Sequence, residues 1–269
     1  MLGAIVGDIV GSPYEFTPNN IKTENFPLFK AESHATDDTV MTLAVAEALM
    51  QSWGGTDEEI RAALIASMRA WGKAYPYAGY GKRFILWLNA EHPRPYHSYG
   101  NGSAMRVSSA AWLASSLEEA CRLAELSALV THNHPEGVKG AVATAAAIFM
   151  ARQGESGATV RAWVKRECGY DLSRRLEDIR PGYVHVESCQ ETVPEAITAA
   201  LSGKGFEDVI RKAVSLGGDS DTLTAIAGSI AEGWYPVPAE MEREVLARLD
   251  ERQKACLASF RRFCAGIAG

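Results

Sequence analysis

Two short runs of oxygen-bearing side chains concentrate the chemistry of this chain. Thr36-Asp37-Asp38-Thr39 opens one helical pattern, and Gly218-Asp219-Ser220-Asp221-Thr222 opens another far along the sequence. Adjacent buried carboxylates repel one another unless a cation neutralises them. Oxygen-only donor sets suit hard ions such as Mg²⁺, Ca²⁺ or Mn²⁺ rather than zinc. An Asp or Thr at a helix start is also an ordinary N-cap, and one such run alone reads as capping. A cap uses one oxygen, whereas the two runs offer Thr36, Asp37 and Asp38 on one side and Asp219, Asp221 and Thr222 on the other. That surplus points to two distant clusters meeting around a metal pair, with Gly217-Gly218 permitting a sharp turn and a close approach.

Other residues could serve such a centre. Glu15, in Gly11-Ser12-Pro13-Tyr14-Glu15-Phe16, is either a solvated loop carboxylate or one poised to ligate or to move protons. Asp8 interrupts an apolar run, as a hydrogen-bonded structural group or as a support behind the metals. Ser98-Tyr99-Gly100-Asn101-Gly102-Ser103 is a glycine-rich turn into a helix start. It reads as an ordinary turn with a Ser cap, or as a cradle of backbone N–H groups for phosphate; it fits neither the Walker A nor the Rossmann fingerprint. In Thr131-His132-Asn133-His134-Pro135 the histidines lack a Cys or Glu partner at zinc spacing, so His132 is a helix-end structural group or a substrate contact.

Helical periodicity supplies the elements that must position these groups. Residues 1–11 place Gly3, Gly7 and Gly11 four apart, a smooth stripe for close helix packing. Residues 37–51 are apolar nearly all round, as in a central helix. Thr56-Asp57-Glu58-Glu59 signals a capped start for a helix running to Trp71. Further helices read at 102–116, 118–130, 136–153, 156–167, 192–202, 206–216, 221–233 and 239–264. Tyr183-Val184-His185-Val186 is the best strand signal, and loops fall at 12–35, 73–80, 89–101 and 168–190. With no linker or repeat, the expectation is an all-α fold in one domain over 1–269, its long loops building the site.

Composition narrows the function. The 269 residues are 47% hydrophobic and 22% charged, as in ordinary globular proteins. A net charge of −6 argues against a broad grip on nucleic acid. The five cysteines form no CxxC pair and read as reduced thiols of a cytoplasmic chain. The apolar start lacks a basic region and is cut by Asp8, so neither a signal peptide nor a membrane span is expected.

Taken in order, Gly7-Asp8-Ile9-Val10-Gly11, Tyr14-Glu15, Thr36-Asp37-Asp38-Thr39, Gly100-Asn101-Gly102-Ser103-Ala104-Met105-Arg106, Thr131-His132, Thr192-Val193-Pro194-Glu195-Ala196 and Gly217-Gly218-Asp219-Ser220-Asp221-Thr222 resemble the ADP-ribosylglycohydrolase (DraG-like) family. The resemblance implies an all-α, orthogonal helical fold with two Mg²⁺ or Mn²⁺ ions in a cleft. It implies Thr36, Asp37, Asp38, Asp219, Asp221 and Thr222 as ligands, and Glu15 as the catalytic carboxylate. Ser98, Tyr99, Gly100, Asn101, Gly102 and Ser103 would hold the diphosphate and adjoining ribose, and His132 would lie near the substrate ribose. Tyr96, Tyr99 and Tyr183 remain open as the adenine-stacking ring, and Ser109 stands where many relatives carry proline. The implied reaction removes ADP-ribose from a modified protein, arginine-linked first and serine- or polymer-linked as alternatives, by a monomer. A silent ADP-ribose-binding module and a two-metal nucleotide phosphoesterase are the competing classes.

Overall fold

The glycine stripe of the first helix decides how the centre of the molecule is built. In the computed structural model, which describes residues 1–16 and 18–267, helix α1 (Leu2–Gly11) is buried along its whole length. It lies directly on the backbone of a late helix. A Cβ on Gly3 would overlap the Gly228 carbonyl, one on Gly7 the Thr224 carbonyl, and one on Gly11 the main chain at Ser220 and Asp221. Only hydrogen at these positions lets two backbones come so near. The side chain of Glu232 accepts hydrogen bonds from the Leu2 and Gly3 amides at 3.2 and 2.8 Å, closing the start of α1.

Helices α2 (Asp37–Gln51), α3 (Asp57–Ala74) and α4 (Lys82–Asn89) follow the first long loop. Then come the short α5 (Gly102–Met105) and α6 (Ser108–Leu113), and the longer α7 (Leu117–Leu129), α8 (Pro135–Arg152) and α9 (Gly157–Cys168). The one-turn α10 (Leu176–Ile179) precedes α11 (Cys189–Ser202), α12 (Phe206–Val214) and α13 (Ser220–Trp234), and α14 (Ala239–Arg248) and α15 (Glu251–Ile267) complete the chain. Helix α13 is buried from Ser220 to Ala231 and packs against α1, α8, α11 and α12. The fold is all-α, with no strand among the described residues.

Local chemistry sets the boundaries. Thr56 and Glu59 form the reciprocal capping box expected at the start of α3. Ser116 and Ser156 cap α7 and α9, and the His134 ring accepts from the Glu136 amide at the start of α8, with Pro135 in its first turn.

Four expectations are corrected. The helix expected over 102–116 breaks at Arg106 and Val107, because the Arg106 side chain turns inward to the carbonyl of Ser127 and the hydroxyl of Thr131. The final helix divides at Leu249, which is extended; Asp250 and Gln253 then exchange backbone-to-side-chain bonds of 3.0 and 2.9 Å, a second capping box. The 183–186 segment has no neighbouring strand and crosses Gly218 as irregular chain, held by Lys22 Nζ donating to the Tyr183 carbonyl. Helix α11 begins at Cys189 and α10 lies at 176–179, both within the expected 168–190 loop.

Candidate active site

Helix ends from opposite parts of the chain converge on one cavity of about 700 Å³, within the range usual for small-molecule sites. Thr36, Asp37 and Asp38 reach it from the start of α2, and Asp219, Asp221 and Thr222 from the start of α13. Glu15 enters from the 3₁₀ turn that continues α1. The chain thus brings together the two acidic clusters that the sequence holds far apart. Carboxylate oxygens of Glu15, Asp219 and Asp221 all lie within 4.8 Å of one another, and so do those of Asp8, Asp38 and Asp221.

Asp8 organises the first cluster. Its two oxygens accept from the Thr36 amide (3.0 Å), the Thr36 hydroxyl (2.7 Å), the Thr39 amide (3.0 Å) and the Thr39 hydroxyl. The carboxylate is saturated by the first turn of α2 and orients it. On the other side, Asn101 Nδ2 donates to Asp219 Oδ2 at 2.6 Å and to the Thr192 hydroxyl at 3.1 Å. The Thr222 hydroxyl bridges the clusters by donating to Asp38 Oδ2 at 3.1 Å, while Asp38 Oδ1 is buried without a partner among the described residues.

The electrostatics follow from this crowding. Burial, then the charge of Asp221, raises Asp37 and Asp38 well above the usual carboxylate range. Burial, then Asp219, does the same to Asp221. Burial also lifts Asp219 to about 7, against the pull of its hydrogen bonds to Asp221 and Asn101. Burial and the charge of Asp221 push Glu15 up to about 8, with His185 drawing it back. Carboxylates crowded so closely that each raises its neighbours' pKa, with one buried oxygen that has no partner among the described residues and two threonine hydroxyls beside them, fit hard divalent ions.

The opposite wall carries the glycine-rich turn. Ser98, Gly100, Asn101, Gly102 and His132 line the cavity. The turn is tied to the 187–189 segment, the Asn101 amide donating to the Glu187 carbonyl at 2.8 Å and the Cys189 amide to the Tyr99 carbonyl at 2.8 Å. The Gly100 amide is taken by the Ser98 hydroxyl. The amides of Gly102 and Ser103, at the first turn of α5, keep no protein partner among the described residues. The Ser103 hydroxyl turns inward to the Gly137 carbonyl (2.7 Å), and Tyr99 is half exposed against His134, outside the cavity lining. Of the three tyrosines left open as stacking rings, Tyr96 alone lines the cavity.

Several lining residues lie outside the motifs read from the sequence. Tyr80 comes from the segment leading into α4, Arg83 from the first turn of α4 and Glu187 from the 183–187 crossing, which also brings in His185 of the expected strand; Arg106, the last residue of the glycine-rich motif, lines the cavity from the end of α5. Tyr80, Arg83 and Glu187 carry no signal in the sequence beyond lying in or beside long loops. Arg106 is fully buried, and desolvation brings its guanidinium down to about 10, still a cation at neutral pH.

An all-α scaffold bringing two acidic helix starts and a glycine-rich turn to one cavity is the arrangement that the ADP-ribosylglycohydrolase resemblance implies, and the comparisons agree. Residues 1–263 match the ADP-ribosylglycohydrolase family, and the chain belongs to it; the activity class that comes with membership is hydrolytic removal of ADP-ribose. The chain is 27% identical to ADP-ribosylhydrolase ARH3 of Mus musculus, over 87% of this chain and 82% of that one. It is also 27% identical to ADP-ribosylarginine hydrolase Tri1 of Pseudomonas putida, over 88% of this chain and 70% of the relative. A solved structure titled ADP-ribosylglycohydrolase-related protein complex shares the fold at a TM-score of 0.70 and 24% identity, covering 98% of this chain and 95% of that chain.

Proposed function

We propose that this chain, acting as one domain over its whole length, is a divalent-metal-dependent hydrolase that releases ADP-ribose from a modified protein, with arginine as the first acceptor. The observation that carries the reading is the meeting of the two acidic helix starts, with Asp38 Oδ1 buried and unpartnered between them. Thr36, Asp37, Asp38, Asp219, Asp221 and Thr222 would hold two Mg²⁺ or Mn²⁺ ions. When bound, such ions supply Lewis-acid polarisation and a more acidic water at the ribose carbon. The Asp8 hydrogen bonds and the Asn101–Asp219 contact orient the ligand carboxylates, as supporting groups do in metal sites generally.

The residues then divide the work. The free amides of Gly102 and Ser103 would receive the diphosphate, with His132 beside the adjoining ribose. Glu15, at the cavity wall but not on a helix, takes or returns the proton of the attacking water as an oxocarbenium-like transition state forms. Glu187, exposed in the cavity lining, offers a carboxylate to a cationic guanidinium acceptor, a charge that a serine O-glycoside or a polymer end lacks. The name of the Pseudomonas putida relative points the same way. The reading includes a cytoplasmic monomer, for which the unpaired cysteines fit a reducing compartment; no helix among the described residues is long and apolar enough to cross a membrane.

The test is incubation with arginine-, serine- and polymer-linked ADP-ribose, each with Mg²⁺, Mn²⁺ or EDTA. Free ADP-ribose from the arginine-linked substrate, lost in EDTA and restored by metal, is the expected result. Full activity in chelator overturns the metal mechanism. Inorganic phosphate or AMP as product makes the protein a phosphoesterase, and tight ADP-ribose binding without turnover makes it a binding module.

A further inference from the structure

Arg106 is fully buried yet makes no ion pair with any carboxylate among the described residues. A desolvated cation with no counter-charge is expensive to keep. Its guanidinium donates to the Ser127 carbonyl at 2.9 Å and to the Thr131 hydroxyl oxygen at 2.7 Å. The same hydroxyl stands 2.7 Å from Nδ1 of His132. An arginine can only donate, so one lone pair of Thr131 Oγ1 is occupied by Arg106. Were His132 Nδ1 also to donate, the Thr131 hydroxyl proton would need a third partner, and none lies within hydrogen-bond distance among the described residues. The chain of donors therefore runs one way, from Arg106 to Thr131 to His132 Nδ1, which must be an acceptor.

We infer that Arg106 and Thr131 are positioning residues that lock His132 as the neutral tautomer with its proton on Nε2. The opposite ring nitrogen faces the turn: ideal Cβ positions at Gly100 and Gly102 would each lie 3.5 Å from it, so the two missing side chains leave Nε2–H open to the cavity. His132 thus presents a fixed donor, suited to an oxygen of a bound sugar or phosphate, and cannot accept a proton from one. Its surroundings hold that state: the charged or titratable groups facing the ring are Arg106, Arg83 and Tyr96, and burial with the two guanidiniums keeps the imidazole neutral well below its ordinary range. That the acceptor is an oxygen of ADP-ribose rests on the proposed function; the tautomer does not.

The experiment is ¹⁵N NMR of the imidazoles in the full-length protein with Mg²⁺ present, with His132 assigned by its loss in His132→Gln. The expected spectrum shows a single Nε2–H tautomer that does not titrate between about pH 6 and 8. Thr131→Ser should keep it, whereas Thr131→Val should give a mixture of tautomers and weaken ADP-ribose binding about tenfold, the loss of one good hydrogen bond. An imidazolium or Nδ1–H form in the wild type overturns the inference, as does a Thr131→Val protein that retains pure Nε2–H. Should Thr131→Val not fold, the wild-type and Thr131→Ser spectra decide alone. If the tautomer is as stated but ADP-ribose neither binds nor shifts the His132 signals, the positioning device stands and the hydrolase reading fails.

Discussion

Glu15 differs from Asp37, Asp38, Asp219 and Asp221 in being carried by a loop just past a 3₁₀ turn, while those aspartates sit at helix starts. Partial burial and the charge of Asp221 lift it to about 8, so in the metal-free protein it holds its proton at neutral pH; a bound cation would favour its ionised form and return it to the role of base. Glu15→Gln keeps the shape and removes the proton acceptor. Turnover should fall roughly 10²-fold or more, the range of general acid–base effects, with ADP-ribose affinity nearly unchanged. Equal losses in single-turnover rate and in affinity would make Glu15 an anchor instead. Gly102 tests the facing wall. A Cβ there meets His132 Nε2 at an ordinary 3.5 Å, so the backbone accepts a side chain, but the branches of a valine would fill the cavity. Gly102→Val should weaken ADP-ribose binding by roughly tenfold or more with little change in melting temperature. Unchanged affinity by calorimetry would leave the turn a purely structural part.

At the level of elements, the contact of α1 with α13 sets the spacing of the site, since α1 carries Asp8 and leads to Glu15, and α13 carries Asp221 and Thr222. Gly7→Ala would drive a methyl group into the Thr224 main chain and force the two helices apart. We expect a loss of about 1–3 kcal/mol in urea unfolding and weaker metal binding. Gly182→Ala, which meets nothing within 4 Å, should stay within about 0.5 kcal/mol of the parent. Equal stability for the two variants would mean that the helix contact does not control the core. A second device joins loop to helix. Asn20 Nδ2 donates to the carbonyls of Tyr14 (2.9 Å) and Gly218 (2.8 Å), and its Oδ1 accepts from the Gly218 amide (2.9 Å). This one side chain clasps the Glu15 turn to the left-handed Gly217-Gly218 bend before Asp219. Asn20→Ala leaves those peptide groups without partners and should cost about 1–3 kcal/mol, together with a fall in Mg²⁺ affinity. A Mg²⁺ titration indistinguishable from the parent would dismiss the clasp.

For the whole molecule, the acidic cleft makes stability depend on pH and metal together. Glu15 and Asp219 are raised from 4.5 and 3.8 to about 8 and about 7, and Asp37, Asp38 and Asp221 are raised in the same direction. Between about pH 4 and 8 the unfolded chain has released protons that the folded chain retains, so stability is full at the acid end of that window and drains as pH rises. In EDTA the melting temperature should therefore be lower near pH 8 than near pH 5. Mg²⁺ binds the folded state alone and needs ionised ligands, so it should raise the melting temperature more at the higher pH, by an amount equivalent to about 2.7 kcal/mol at a hundred times its Kd. A melting temperature that climbs with pH in EDTA would show that the carboxylates are not held together in the folded protein.

How much of this was legible in the linear chain follows from the range of the physics involved. Periodicity, capping and the glycine stripe are local properties, and they located the long helices and the close-packed first one. The surplus of oxygens at 36–39 and 218–222 was equally local, and it marked both halves of the cleft. Boundaries failed where a distant group intervened: Arg106 breaks its helix to reach Ser127 and Thr131, and the irregular 183–186 segment has no strand to pair with among the described residues. Tertiary structure alone decided that Asp8 would bind the Thr36 turn, that Asn101 would hold Asp219, and that Ser103 would face inward. It also placed Arg83 and His185 on the cavity wall. A residue's type declares what bonds it can make; which partner it meets depends on helix packing across the whole chain, and no spacing along the sequence encodes that.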